Sequence, residues 1–288
     1  MVDKLVSLSE AVGLIKNGDL LGIGGMSLYR RPMTLTRGII RQGIKDLGIL
    51  SFIAGLPSDI LIGSNCASRI RSCYVGFEMF GLAPNYRRAA ENGDLEIIEE
   101  TEITIVLGLK ATLLQVPHLP TRGIRCTDIM KVRKDLKEYT CPLSAEKLVA
   151  VPPIKPDVSI IHATMADRMG NAHIDGAVWL DEDLAKASGK VIISAEKIVE
   201  TEEIMRTPNR ANIPHFMVDA VVRAPFGAHP SSCFPFYTYD AQHIRKYLEV
   251  SNSGNSFSEY LNTYVFQTKT HEDYLDRVGA STLSKILL

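Results

Sequence analysis

The chain has almost no net charge, no long apolar run and no cysteine motif, and each absence removes a class of function. The 32 Lys and Arg residues are balanced by 33 Asp and Glu, for a net charge of −1. A nucleic-acid or anionic-membrane surface needs clustered excess cations, so neither partner is expected. No uninterrupted apolar stretch approaches the roughly 20 residues of a membrane span. The start, Met-Val-Asp-Lys-Leu-Val-Ser, has too short an apolar run for a signal peptide. The five cysteines, Cys66, Cys73, Cys126, Cys141 and Cys233, are scattered without a Cys-x-x-Cys pair. A reduced, cytoplasmic protein with neither a disulfide framework nor a structural zinc site is expected. The seven histidines form no His-x-x-x-His pair, so no metal is implied. Neither a Gly-x-x-x-x-Gly-Lys-Ser/Thr loop nor a Gly-x-Ser-x-Gly elbow occurs, which removes a P-loop nucleotide site and an α/β-hydrolase serine.

What is present is an ordinary globular composition, 45% hydrophobic and 23% charged, with one unusual segment near its start. The run Leu20-Leu-Gly-Ile23 reads as a strand that enters paired glycines, Gly24 and Gly25, then Met26, and within seven residues Arg30, Arg31 and Pro32. Glycine lets a backbone approach a ligand closely, and successive N–H groups in such a loop can form an anion or oxyanion site. The forked guanidiniums of Arg30 and Arg31 suit a carboxylate or phosphate. A dinucleotide fingerprint is a poor fit. The third glycine position is Ser27, and the strand near Leu50–Ala54 ends without the acidic residue that should follow about 20 positions on.

Alternating apolar segments organise the rest. Ser7-Leu-Ser-Glu10 is a capping box that opens a short helix ended by Gly18. Helices are expected at Met33–Gln42, Pro84–Glu91, Ile103–Leu114 and Asp183–Ala187. Strands are expected at Ile49–Ala54, Ser72–Phe77, Leu95–Ile98, Lys147–Val151, Val158–Ala163, Lys190–Ala195 and Met217–Ala224. Residues 117–143 lack a period and read as a loop-rich excursion. The pattern predicts an α/β fold with an open, mostly parallel sheet covered by helices on both faces. It is read as a single domain over residues 1–288 with a helical region from about residue 240.

Several other clusters could carry chemistry. Arg223-Ala-Pro-Phe-Gly-Ala-His-Pro-Ser-Ser-Cys233 follows an apolar strand and holds Gly227, Ala228 and His229 in one loop. A His229/Cys233 nucleophilic pair is conceivable there, against the simpler reading of a rigid loop that lines a pocket. Asn65 sits in a small-residue turn and could donate to a substrate carbonyl, although turns use Asn routinely. Glu99, Glu100 and Glu102 lie where a helix begins. There an acid complements the helix dipole or, for Glu102, acts as a general base in a cleft. Glu196 ends a strand and reads as part of a solvated acidic connector.

Taken together, four blocks resemble the α subunit of a family I CoA-transferase of the glutaconate type. They are Gly18–Pro32, Arg41–Leu47, Val149–Pro152 with Asp157–Ala163, and Val218–Pro230, in order along nearly the whole chain. Arg30 is typical of the glutaconate branch. Met26 stands where the general signature has Phe. The resemblance implies the open CoA-transferase (ribose-phosphate isomerase-like) α/β fold and an active site between two related subunits. It implies an acyl-CoA and a small carboxylic acid as substrates, with coenzyme A as substrate rather than cofactor. It places the nucleophilic glutamate in a β subunit, so that this chain completes the site in a heterotetramer or heterooctamer. Gly24, Gly25 and Met26 would then be a donor or substrate-binding loop. Arg30 or Arg31 would meet a dicarboxylate or CoA phosphates, with Asn65 and the Gly227-Ala228-His229 loop as further substrate-binding groups. Related α/β pairs hydrolyse a cyclic ketone or decarboxylate an acyl-CoA, and in the ring-cleaving hydrolases an α-subunit glutamate is the base, a position that Glu102 matches. A remote alternative is a metabolite-binding module without turnover.

Overall fold

Residues on alternate sides of each apolar strand end in different layers. Leu21, Ile23, Val158, Ile160 and Ile192 pack into one core, and Ile161, Ala163, Val191 and Ile193 into another. That division follows from the two-residue side-chain period of a strand buried on both faces. The computed structural model describes residues 2–206, 211–252 and 254–288. Its main sheet has nine strands: β1 (Leu20–Ile23), β2 (Leu47–Leu50), β3 (Ala67–Ser72), β4 (Glu96–Glu99), β5 (Val158–Asp167), β6 (Ala172–His173), β7 (Lys190–Val199), β8 (Ala211–Ile213) and β9 (Ala220–Arg223). Seven of them run parallel in the order β9-β7-β5-β1-β2-β3-β4. Strands β6 and β8 extend the far end of β5 in antiparallel fashion. The mostly parallel sheet with helices on both faces is as expected.

Helices Leu8–Val12, Met33–Gln42 and Leu56–Gly63 and the C-terminal helices close the larger core. Helices Glu102–Leu114 and Asp181–Ala187 close the other. The chain builds outward from β1 through β2, β3 and β4, then restarts at β5 on the other side of β1. In open α/β sheets the crevice beyond the strands' carboxyl ends at such a reversal is the favoured ligand position. Gly24 and Gly25 follow β1 at that point.

Several expected elements differ. Residues 117–143 hold strands Leu119–Thr121 and Lys137–Thr140, which flank Lys147–Val151 in a separate antiparallel sheet. Short polar strands of this kind carry too few residues for a period to show. The strand Lys147–Val151 therefore lies outside the main sheet. The strand expected at Ser72–Phe77 lies earlier, at β3, with a two-residue pair, Ile53–Ala54 with Tyr74–Val75, beyond it. Helix Leu56–Gly63 leaves no periodic signal, because Leu56 to Ile62 are all buried and no polar face marks it.

Candidate functional site

The glycine loop is held from three sides. Past β1 the Gly24 N–H donates to the Ile160 carbonyl at 2.9 Å, the Gly25 N–H to Asp181 Oδ1 at 2.8 Å and the Met26 N–H to the Tyr29 carbonyl at 3.0 Å. The expected oxyanion donors are therefore already taken inside the chain. What the loop offers is close packing. A Cβ on Gly24 would collide with Asp181 Oδ1. One on Gly25, which sits at φ +70°, would meet the Tyr29 and Arg30 carbonyls at 2.5 Å. Ser27, also left-handed at φ 47°, buries a hydroxyl that has no partner among the described residues.

Both arginines face inward. Arg30 forms a buried ion pair with Asp181 at 2.7 Å and donates to the His162 and Ala177 carbonyls at 2.9 and 3.1 Å. Arg31 is fully buried and donates to the Gly25 carbonyl at 2.8 Å and to Ser51 Oγ at 2.9 Å. Burial pulls its pKa down to about 9, against the opposing attraction of Asp181. In this chain the two guanidiniums brace the loop, because the forks that suit a substrate carboxylate equally suit Asp181 and backbone carbonyls.

The Gly227-Ala228-His229 loop sits against the same framework but is buried. The Gly227 carbonyl accepts the Thr34 N–H at 3.0 Å, and the Ala228 N–H donates to the Tyr237 hydroxyl at 3.1 Å. His229 is wholly buried, with Nδ1 on the Tyr274 hydroxyl at 2.7 Å and Nε2 on Asp240 at 3.1 Å. Burial lowers its pKa. The pairing of His229 with Cys233 does not form. Cys233 lies within 4.8 Å of His162 and Glu196 instead, and burial raises its thiol pKa well above the usual value. Asn65 is exposed at the turn before β3, at the opposite end of the parallel strands from the glycine loop. It is not brought to this site.

Glu196 corrects another expectation, since its carboxylate is buried. It accepts the Phe226 N–H at 2.6 Å, the Tyr237 hydroxyl and His162 Nε2 at 2.8 Å, while His162 Nδ1 meets Ser194 Oγ at 2.8 Å. This network ties β5 and β7 to the loop after β9. Its only signal in the sequence is an acid at the end of an apolar strand.

Glu100 is buried between Arg71 and Arg133, at 2.6 and 2.8 Å. Glu102, two residues on, is exposed and begins helix Glu102–Leu114 behind a Thr101 capping box. It lines a cleft of about 1010 Å³ that also has Ile97, Ile103, Ile124 and Val132 in its wall. One and two turns along the same helix, Ile105 and Leu109 line a small void with Gly24, Gly25 and Asp181. The acid at the cleft and the glycine loop are thus connected by one helix.

A profile described as coenzyme A transferase matches residues 5–224. The chain belongs to the coenzyme A transferase family. Among its relatives, an uncharacterized protein of Archaeoglobus fulgidus is 36% identical over 284 residues, 98% of this chain, which spans 63% of that protein's length. The A-type subunit of glutaconate CoA-transferase from Acidaminococcus fermentans is 33% identical over 98% of this chain and 94% of its own. The crystal structure of that glutaconate coenzyme A-transferase superposes with a TM-score of 0.94, covering 99% of this chain and 96% of the other. The cholesterol ring-cleaving hydrolase IpdA subunit of Rhodococcus jostii is 31% identical over 94% of each chain. In this coenzyme A transferase chain no described helix is long and apolar enough to cross a membrane.

Proposed function

We propose that this chain is the A-type subunit of a heteromeric acyl-CoA:carboxylate CoA-transferase acting on a dicarboxylic acyl-CoA such as glutaconyl-CoA. The observation that carries the reading is the end-to-end likeness to the A-type subunit of glutaconate CoA-transferase, 33% identical and superposing at a TM-score of 0.94. A β subunit supplies the nucleophilic glutamate. Its carboxylate attacks the thioester carbonyl and expels the CoA thiolate, leaving an acyl-glutamyl anhydride. The thiolate then attacks the glutamyl carbonyl, which releases the acyl group as a carboxylate and leaves a glutamyl thioester. A second carboxylate runs the sequence backwards to give the new acyl-CoA.

The part of this chain is to present the Gly24–Gly25 turn, with Met26 beside it, as one wall of the acyl pocket. Asp181, Arg30 and Arg31 keep the turn rigid, so that a flat acyl group can lie against it. Coenzyme A enters as substrate, and no cofactor is needed. The chain works in the cytoplasm within a heterotetramer or heterooctamer.

One observation favours a second chemistry: Glu102 is exposed on the wall of a large cleft. As a base there it would serve ring cleavage or decarboxylation of an acyl-CoA on the same fold. Intact-mass spectrometry of the co-purified complex, exposed to glutaconyl-CoA, separates the two. A CoA-sized adduct on the partner that disappears with acetate, and persists in Glu102→Gln, is the expected result. Absence of the adduct, with turnover abolished in Glu102→Gln, overturns the transferase reading in favour of the base.

A further inference from the structure

On the face of the sheet covered by helix Met33–Gln42 lies a second cleft of about 520 Å³, which the proposed chemistry does not use. Its walls are helix Leu8–Val12, the end of helix Met33–Gln42, the end of β9 and the segment Lys269–Glu272. Cations converge on it from three separate elements. Arg41 lies one turn after Arg37 on the same helix, and like charges at that spacing destabilise a helix. Arg37 is buried over the Tyr274 ring, 3.5 Å from its centre, and donates to the His229 carbonyl and Thr34 Oγ1 rather than to a carboxylate. Arg41 is half-buried and donates through Nη1 to the Thr268 and Thr270 carbonyls. That anchors the fork and leaves Nε and Nη2 without a protein acceptor among the described residues. Burial, with Arg37 adding repulsion and Asp273 opposing both, pulls the Arg41 pKa down to about 10, so the group stays charged. Arg223 and Lys269 are exposed on the same walls, and neither has a carboxylate partner among the described residues.

Little in the walls offsets this charge. Among the described residues Glu272 is the one acidic side chain lining the cleft, and the neighbouring Asp273 carboxylate accepts the Thr270 N–H at 2.9 Å in the helix cap. His271 is neutral: burial pulls its pKa to about 3, and its ring nitrogens meet Thr34 Oγ1 and the Pro225 carbonyl. Three cations thus line a space within the range of small-molecule sites, against Glu272 in its wall and the attraction of Asp273 for Arg41 from just outside it. Guanidinium forks fit phosphate oxygens in pairs, and lysine adds a point charge. Leu5, Leu8 and Val222 supply an apolar wall beside them.

We propose that this cleft binds a small metabolite through a diphosphate group, with Arg41 and Arg223 as forks and Lys269 as the third charge. A nucleoside diphosphate and the diphosphate of coenzyme A share that chemistry. The test is calorimetric titration of the full chain with inorganic pyrophosphate, ADP and coenzyme A, at ionic strength held constant with sodium chloride. Saturable pyrophosphate binding is expected, weakened about tenfold in Arg223→Glu and in Lys269→Glu. Both substitutions are at exposed positions, so unchanged unfolding midpoints of the free variants verify that the fold is intact. Coenzyme A competing with pyrophosphate would identify it as the source, and competition by ADP alone would identify a nucleotide. No saturable binding of any of the three, or binding indifferent to both charge reversals, overturns the proposal.

Discussion

Asp181 holds two groups at once, the Gly25 N–H on one oxygen and the Arg30 guanidinium on the other. Its side chain is wholly buried, so removing it strands a charged guanidinium with only carbonyl partners. Breaking a buried pair from one side costs about 3–5 kcal/mol, and Asp181→Ala should destabilise the chain by that order in urea unfolding. Asp181→Asn keeps an acceptor for Gly25 and should lose less. Equal stability of wild type and both variants would remove the brace from the account of the loop. The pair also explains what one dimension hides. Gly25 is legible because a turn at φ +70° with carbonyls 2.5 Å from a would-be Cβ leaves room for glycine alone. Arg30 is legible as a cation with a purpose, but its partner lies 151 residues away. A guanidinium committed to a distant aspartate and one waiting for a substrate look alike in the sequence. Glu196 passes for a solvated acid for the same reason, since its Tyr237 and His162 partners come from other elements.

Elements are legible where a period or a cap marks them, as at Met33–Gln42 and Leu8–Val12, and obscure where burial is uniform or the strand short. The C-terminal helices are legible as helices, but not as the place where histidines are kept neutral. Burial, helped by the charges of His229 and Arg37, holds His243 down at about 3, and burial does the same to His271. Burial raises Asp240, yet hydrogen bonds from His229 and the His243 N–H outweigh it and set the carboxyl at about 2. Between pH 6.5 and about 3 the unfolded chain therefore binds protons at His243 and His271 that the folded chain refuses. Their contribution to stability is complete above pH 6.5 and is lost as pH falls through that window, at up to about 2.7 kcal/mol per pH unit for two protons. Asp240 adds a further loss below its unfolded value, between 3.8 and about 2. Chemical unfolding at steps from pH 7.5 to 4 should show a flat region followed by a steep decline. His271→Gln, which can still reach Thr34 and Pro225, should remove the share of one proton, up to about 1.4 kcal/mol per pH unit, from that slope, to which buried His229 also adds. A variant that declines as steeply as wild type would show that this histidine is not excluded from protonation by the fold.

One group of exposed apolar side chains gathers where the glycine loop reaches solvent. Tyr29 is 49% exposed, Phe234 60% and Leu288 70%. They are neighbours through the backbone: Tyr29 bridges to Ser232, and the Leu288 N–H donates to the Phe236 carbonyl at 3.1 Å. Exposed aromatic and aliphatic groups clustered this way mark an association face. Its position in the loop beyond β1 would let a β subunit cover the glycine loop and complete the proposed site. If so, Tyr29→Asp and Leu288→Asp should each weaken assembly by about 2 kcal/mol or more, as expected for the centre of an interface. The unfolding midpoint of the free chain should stay close to wild type, because surface substitutions away from special features stay within about 0.5 kcal/mol. Co-expression with the partner followed by size-exclusion chromatography reads the outcome. A heteromer of wild-type size and yield from both variants would place the partner elsewhere, with the Glu102 cleft and its exposed Ile97, Ile103 and Val132 as the alternative face.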